Sequence, residues 1–307
     1  MKKIFIDGSA GTTGLRIRQR LIDRRDIELI TLSEEKRKDE SARREALNRC
    51  DIAFLCLPDD AAREAVSMVE NPYTAIIDTS TAHRTLDSWT YGFPELDSMR
   101  DLIRNSKRIA NPGCHASGFV ALIAPLVKAG IIPKSTPLCA YSITGYSGGG
   151  KKMIAEYEDE NRPCDFSAPR QYALSQQHKH LKEMVKICGL EKAPFFSPIV
   201  DNFYSGMQTS VALHREQINA DRSEIEKLYK EIYTSPIVFY TDCADSNGFL
   251  PSSKLSKLDS MQISVHGNDE RIMLTATFDN LGKGASGAAI QNMNILLGCE
   301  ETLGLEL

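Results

Sequence analysis

The sequence predicts an α/β domain built on a doubly wound parallel sheet, followed by an α+β domain with a mostly antiparallel mixed sheet. Three observations carry this expectation. Short apolar runs alternate with helical periodicity through residues 2–80, which is the signature of strands joined by crossover helices. The first run ends in a glycine-rich turn that leads straight into a helical pattern. Beyond residue 113 the alternation gives way to strand patterns with few helices between them, as expected of an α+β unit.

The elements follow in order. Residues 2–8 (KKIFIDG) form an apolar run closed by glycine, and GLRIRQRLIDRR then sets Leu15, Ile17, Leu21 and Ile22 near helical spacing, giving strand, turn and helix. DIELITLS (26–33) reads as a second strand and SARREALNRC as a helix. DIAFLCLP (51–58) is a buried third strand, DAAREAVSMV a helix and YTAIIDTS (73–80) a fourth strand. A helix is expected over 117–129. The remaining strand candidates are PLCAYSITGYS, FFSPIV, QTSVALHRE, PIVFYT, MQISVHGN and ERIMLTATFDN. A chain of 307 residues accommodates two domains of roughly 100 to 200 residues each, and the change of pattern places their boundary near Pro112.

Composition narrows the function classes. With 42% hydrophobic residues, 25% charged and a net charge of −4, no cationic face large enough for nucleic acid is expected. No stretch approaches the roughly 18 apolar residues of a membrane span, and the opening MKKIFIDG is too short for a secretory apolar region. A cytoplasmic protein with small-molecule partners is the expectation. The eight cysteines lack a CxxC pair, which argues against a zinc ribbon or a disulfide scaffold. They read as reduced thiols, mostly core packing, and no metal is expected.

Two stretches carry chemistry. In GSAGTTG the glycines Gly8, Gly11 and Gly14 stand three apart after the first strand. Missing side chains there let backbone amides approach a pyrophosphate at the positive end of the next helix. The spacing departs from GxGxxG, and a tight turn that binds nothing is the alternative. After the second strand the chain reads LSEEKRKDE. A hydroxyl and cations, Ser33 and Arg37 with Lys36 and Lys38, suit a ribose 2′-phosphate better than a 2′-hydroxyl, so NADP is favoured over NAD, although Glu34 and Glu35 weaken the preference. The second stretch is NPGCHAS (111–117), which places Cys114 at a helix start beyond the last parallel strand, where a thiolate is favoured. Six histidines are available as a base. Adjacent His115 points about 100° away on a helix, whereas His180 and Glu183 in HKHLKEM would share a helix face at i and i+3. A polar surface turn is the alternative for HKH, and a metal reading of HxH lacks a third ligand.

Taken together, IFIDGSAGTTGLRIRQRL, CDIAFLCLPDDAAREAV, IIDTSTAHR, YGFPEL, ANPGC, SITGYSGGGKKMI, HKHLKEM, FSPIV and DNLGKGASGAAIQNMNILLG resemble the N-acetyl-gamma-glutamyl-phosphate reductases in their shorter form. These belong among the dehydrogenases of glyceraldehyde-phosphate and aspartate-semialdehyde type, and the likeness spans nearly the whole chain. The resemblance implies an NADP-binding Rossmann domain at 1–113, joined by a returning C-terminal helix at about 285–307. A catalytic and oligomerisation domain is implied at 114–284, in a homodimer or homotetramer. It implies Cys114 as nucleophile, His180 as acid-base residue and Glu183 as its support. Gly8, Ala10, Gly11, Thr12, Thr13 and Gly14 would meet the cofactor with Leu57, Pro58, Ser147, Gly148 and Asn280, and Arg84 and Lys151 would meet the substrate's anionic groups. The implied reaction is NADPH-dependent reduction of an acyl phosphate through a cysteine thioester, with release of phosphate, in arginine biosynthesis.

Two departures mark this chain. The family usually continues NPGC with Tyr-Pro-Thr, where His115, Ala116 and Ser117 stand here; His115 is expected to replace the tyrosine as packing, the alternatives being that it perturbs the thiol pKa or serves as an extra polar contact. A proline commonly precedes the glutamate where Lys182 stands. Rival readings are another acyl-phosphate reductase such as aspartate-semialdehyde dehydrogenase, a cysteine hydrolase needing no dinucleotide, and a non-catalytic NADP sensor.

Overall fold

Strand and helix alternate through the first third of the chain because each apolar run can bury itself only under a helix on either side. In the computed structural model, which describes residues 1–307, this produces a six-stranded parallel sheet. Its strands are β1 (Lys2–Asp7), β2 (Ile27–Ile30), β3 (Ile52–Leu55), β4 (Ala75–Asp78), β5 (Thr90–Tyr91) and β6 (Arg108–Ala110), in the order β2-β1-β3-β4-β6-β5. Every residue of β3 is buried, as is every residue of β4, and their sequences are almost continuously apolar because both faces are covered. On one face Ile4, Ile6, Ile52 and Phe54 pack with Ile17 and Leu21 of α1 (Thr12–Leu21) and Ile103 of α4 (Met99–Asn105). On the other, Phe5, Ala53 and Leu55 pack with Ala46 and Leu47 of α2 (Glu40–Arg49) and Ala62 and Ala65 of α3 (Asp59–Ser67). β1 lies between β2 and β3, so the chain steps outward in opposite directions from it. The carboxyl ends of β1 and β3 thereby form the topological switch point.

This unit comprises Met1–Gly113 with Ala285–Leu305; the other comprises Cys114–Gly284 with Glu306–Leu307. The expected helix at about 285–307 is shorter than its segment: α9 spans Gly287–Leu297 and ends at Gly298, whose positive φ of 68° suits glycine. Ala289, Ile290, Met293 and Ile295 from α9 belong to the core on the Ile4 face of the parallel sheet.

The second unit holds a seven-stranded sheet in the order β11-β12-β13-β10-β7-β9-β8. The strands are β7 (Cys139–Gly145), β8 (Arg170–Gln171), β9 (Phe195–Asp201), β10 (Met207–His214), β11 (Val238–Tyr240), β12 (Met261–Gly267) and β13 (Arg271–Phe278). Only β11–β12 and β7–β9 pair in parallel; the other four pairs are antiparallel. Three helices interrupt these strands. α7 (His180–Cys188) carries the spacing of HKHLKEM, while α6 (Gly150–Glu158) and α8 (Arg222–Ile232) are helices that the strand pattern did not announce.

The central helix α5 runs over Cys114–Lys128, starting three residues earlier than expected. It lies close against β10: a Cβ on Gly118 would come within 2.5 Å of Thr209 Oγ1. Pro125 inside α5 cannot donate to the carbonyl one turn back, at Ala121. That carbonyl instead accepts from the Tyr233 hydroxyl at 2.5 Å, beside a second phenol, Tyr229, which donates to Leu122 O. A buried acceptor that proline would leave orphaned is thus satisfied from the end of α8.

Candidate active site

In the first unit the turn after β1 is shaped by two glycines. Gly8 has φ +85°, and a Cβ there would sit 2.2 Å from Cys56 O; on Gly14 it would sit 2.4 Å from Gly8 O. Gly11 donates to Gly8 O at 2.9 Å and caps α1. The third glycine is therefore less constrained than the other two. The turn opens onto a cleft of about 300 Å³ at the switch point, lined among others by Gly8, Ser9, Ala10, Arg18, Leu57, Arg37 and Lys38. Of the residues expected at a cofactor, Gly8, Ala10, Arg37 and Leu57 line it, while Gly11, Thr12, Thr13 and Gly14 form the rest of the turn and the start of α1. Pro58 stands at the amino end of α3.

Ser33 is not on the wall of the cleft; its carbonyl accepts from Lys36 and Arg37 N–H. Arg37 is paired with Glu34 at 2.9 Å, so one of the acids that weakened the NADP expectation orients a cation. Arg18, from the second turn of α1, joins the same wall; sequence reading missed it because it stands in another element, well before the charged run. The carboxylate at the end of β1, Asp7, is buried and bound by Arg43 from α2, with Nη2–Oδ2 at 3.0 Å. Burial pushes this carboxyl above its ordinary range against the opposing pull of the Arg43 guanidinium.

Arg84 is also in this unit, and its guanidinium donates to Asn111 O at 2.9 Å and Thr79 O at 2.8 Å. It ties the segments after β4 and β6 together. Beside it, His83 Nδ1 lies 2.6 Å from Asp78 Oδ2, and its ring stacks on Trp89 at 4.1 Å. The TSTAHR stretch is therefore a cross-braced loop at the carboxyl edge of the sheet.

In the second unit Cys114 is a half-buried thiol outside any disulfide and the first residue of α5. Gly284, in the π-helical turn Gly282–Ser286, approaches so closely that a Cβ on it would lie 3.0 Å from Cys114 Cβ. Lys283 beside it is fully buried. His180 opens α7 and is 5% exposed; Glu183, three residues on, is 2% exposed. The HKH stretch is thus no surface turn. His178 Nδ1 accepts from His180 N–H at 3.2 Å, and the two rings are 4.7 Å apart. Burial lowers His178 to about 4, which leaves its ring neutral near pH 7.

His115 is both packed and polar in its contacts. Its Nδ1 lies 2.7 Å from Ser142 Oγ and Nε2 lies 2.6 Å from Tyr172 Oη. Its ring is 5.7 Å from that of His180. Neither Ser142 nor Tyr172 carried a sequence signal, since each reaches this group only through sheet pairing. Elsewhere in the unit Asn280 Nδ2 donates to Ser147 Oγ at 3.0 Å and its Oδ1 accepts from Gly206 N–H at 2.9 Å. A Cβ on Gly148 would lie 3.4 Å from Asn280 Nδ2, so Ser147, Gly148 and Asn280 stand together. Lys151 is exposed on the first turn of α6.

Comparison with known proteins accounts for both units. The semialdehyde dehydrogenase NAD binding domain matches residues 3–105, and the semialdehyde dehydrogenase dimerisation domain matches 114–280. The N-acetyl-gamma-glutamyl-phosphate reductase of Allorhizobium ampelinum is 45% identical over 306 residues, covering 96% of this chain and 98% of its own. N-acetyl-gamma-glutamyl-phosphate reductase 2 of a Nostoc species is 43% identical and covers 99% of both chains. The chain belongs to the N-acetyl-gamma-glutamyl-phosphate reductase family.

Solved structures show the reach of that family's fold. Aspartate semialdehyde dehydrogenase II from Vibrio cholerae, complexed with ASA, superposes with a TM-score of 0.73 at 16% identity, covering 97% of this chain and 98% of its own. Aspartate semialdehyde dehydrogenase with NADP from Candida albicans gives 0.67 at 15%, covering 97% and 98%. The fold is shared with the aspartate enzymes, while the sequence lies with the N-acetyl-gamma-glutamyl-phosphate reductases. No helix of the chain is long and apolar enough to cross a membrane.

Proposed function

We propose that the chain catalyses NADPH-dependent reduction of N-acetyl-L-glutamyl 5-phosphate to N-acetyl-L-glutamate 5-semialdehyde, releasing phosphate, as a step of arginine biosynthesis. The observation that carries this is a thiol on the first turn of α5 in the same unit as His180 and Glu183, both buried and three residues apart on α7, in a chain with a glycine-built dinucleotide cleft.

Cys114 is the nucleophile. At a helix amino end its thiolate is favoured by the dipole and by backbone N–H groups that the helix leaves without internal partners. Those amides also suit the oxyanion formed when sulfur attacks the acyl carbon. The carbon–sulfur bond forms, the carbon–oxygen bond to phosphate breaks, and a thioester remains on Cys114. NADPH, when bound, supplies the hydride that reduces the thioester. His180 protonates the oxygen left negative by that reduction to give a thiohemiacetal, then removes the proton as the carbon–sulfur bond breaks, releasing the aldehyde and returning Cys114 as thiolate. Glu183, one helical turn along, holds the imidazole.

The cleft fits the cofactor. Gly8 and Gly14 let the turn fold tightly against Cys56 O and on itself, where a Cβ would clash, and Arg18, Arg37 and Lys38 line the cleft beside it. The only carboxylate among the lining residues is Asp7, which Arg43 already holds. Cations without a free acid favour the 2′-phosphate, hence NADP over NAD. Arg84 and Lys151 are the candidates for the substrate's anionic groups, Arg84 through the loop it braces. The protein is read as a cytoplasmic homodimer or homotetramer joined through the unit at 114–284.

Phosphate-dependent NADP reduction assayed with N-acetylglutamate semialdehyde and aspartate semialdehyde side by side is the deciding experiment. Turnover of the acetylated aldehyde is expected, and turnover of the aspartyl aldehyde alone would overturn the substrate. Cys114→Ser is expected to lower reduction on the order of 10⁴-fold or more, with NADP affinity unchanged. An unaffected rate would overturn the mechanism.

A further inference from the structure

The mechanism makes no use of a buried hydrogen-bonded chain beside the nucleophile, formed by Thr209, Ser142, His115 and Tyr172. Its links are 3.1 Å between Thr209 Oγ1 and Ser142 Oγ, 2.7 Å between Ser142 Oγ and His115 Nδ1, and 2.6 Å between His115 Nε2 and Tyr172 Oη. The residues come from β10, β7, the first turn of α5 and the segment after β8. Gly118, one turn along α5 from Cys114, admits Thr209 because it has no side chain.

The direction of the protons along this chain follows from burial. His115 is 2% exposed, and loss of hydration lowers it to about 3, so the ring is neutral with one nitrogen donating and the other accepting. If Tyr172 donated inward, His115 would donate to Ser142 and Ser142 to Thr209. Thr209 is wholly buried and its hydroxyl has no hydrogen-bond partner besides Ser142, so its own proton would end with no acceptor, which is costly. In the outward direction Thr209 donates to Ser142, Ser142 to Nδ1, and Nε2–H to the Tyr172 oxygen. Every buried group is then satisfied, and the spare proton is the Tyr172 O–H, on a half-buried residue.

We propose that His115 is a positioning residue that turns the Tyr172 O–H toward Cys114, where it donates to the thiolate and to the acyl group that the sulfur carries. Tyr172 Oη lies 2.6 Å from His115, the residue that follows Cys114 at the start of α5, and burial with charge on the sulfur holds the phenol above its ordinary range, so it stays a donor. A tyrosine at position 115, the residue the resemblance leads one to expect, would offer one hydroxyl where the imidazole offers two nitrogens on opposite edges. Only the imidazole spans from Ser142 to Tyr172. This proposal rests on Cys114 being the nucleophile.

The test uses Tyr172→Phe, His115→Phe, their double variant and Ser142→Ala in the full-length protein. The first readout is the pH profile of iodoacetamide alkylation at Cys114 without substrate, read by mass. Tyr172→Phe is expected to raise the apparent thiol pKa by about one unit, because a donor to the thiolate is lost. It should lower kcat about tenfold to a hundredfold while KM moves less than about threefold, the effect of a charge-assisted hydrogen bond made at the reacting atoms. His115→Phe and Ser142→Ala should shift both readouts in the same direction, and the double variant should be no worse than Tyr172→Phe. An unchanged alkylation profile in Tyr172→Phe, or losses that multiply in the double variant, would overturn the relay. Reduction that survives Cys114→Ser would instead overturn the nucleophile on which it rests. Tyr172→Phe removes a single oxygen from a half-buried ring, so the test stands even where His115→Phe folds poorly.

Discussion

At Arg37 and Lys38 the charged run after β2 forms one wall of a cleft, because the turn folds back beside Gly8. Removing either cation should cost a charge-assisted hydrogen bond to a 2′-phosphate, roughly 1.5 to 3 kcal/mol. Arg37→Ala and Lys38→Ala are each expected to weaken NADP binding about tenfold or more while leaving NAD binding unchanged, measured by titrating both cofactors calorimetrically. Equal losses for the two would remove the case for the 2′-phosphate. Cys114, His180 and Glu183 were singled out as candidates by their chemical types and by the family resemblance, and all three stand on the first turn of a helix. Ser142, Tyr172 and Arg18 were not legible, because serine, tyrosine and arginine are ordinary residues whose partners come from other elements.

Among the elements, the turn between β1 and α1 is the most constrained by backbone geometry. Gly8→Ala would place a Cβ 2.2 Å from Cys56 O at a φ of +85°, so the turn must open. Strain of this kind costs about 1 to 3 kcal/mol, and Gly8→Ala is expected to lose cofactor binding and lower the thermal midpoint; Gly11→Ala, whose Cβ would meet nothing nearer than 3.4 Å, should do neither to the same degree. The long central strands were legible because burial on both faces leaves continuous apolar runs. β5, β6 and β8, of two or three residues each, were not, since so short a run has no period to read. α9 makes a further test. Ala289, Ile290, Met293 and Ile295 complete the core on the Ile4 face, so a chain ending at Gly284 is expected to expose that face and aggregate, as seen by sedimentation of the truncated protein.

For the molecule as a whole, the buried histidines set an acid limit. His115, lowered to about 3, and His178, lowered to about 4, stay neutral in the folded chain, while an unfolded histidine takes its proton near pH 6.5. Below that pH the unfolded state binds more protons than the folded one, so stability falls as pH drops from about 6.5 toward 3 to 4. His115 alone gives a slope of about 1.4 kcal/mol per pH unit. Thermal midpoints measured from pH 7 to pH 4 should therefore fall less steeply in His115→Phe than in the native protein; parallel curves would show that the ring is not buried neutral.

The sequence by itself determined the class of each unit and the glycine turn, because periodicity and missing side chains are local properties, and its family resemblance supplied Cys114, His180 and Glu183 as the candidates for the chemistry. Only the tertiary structure decided what surrounds them. Strand pairing brings Ser142 of β7 to Thr209 of β10, helix packing sets Gly284 against Cys114, and burial makes His115 a neutral link between a serine and a phenol. Hydrogen-bond partners and desolvation depend on which distant segments share a face, and no window of sequence contains that information.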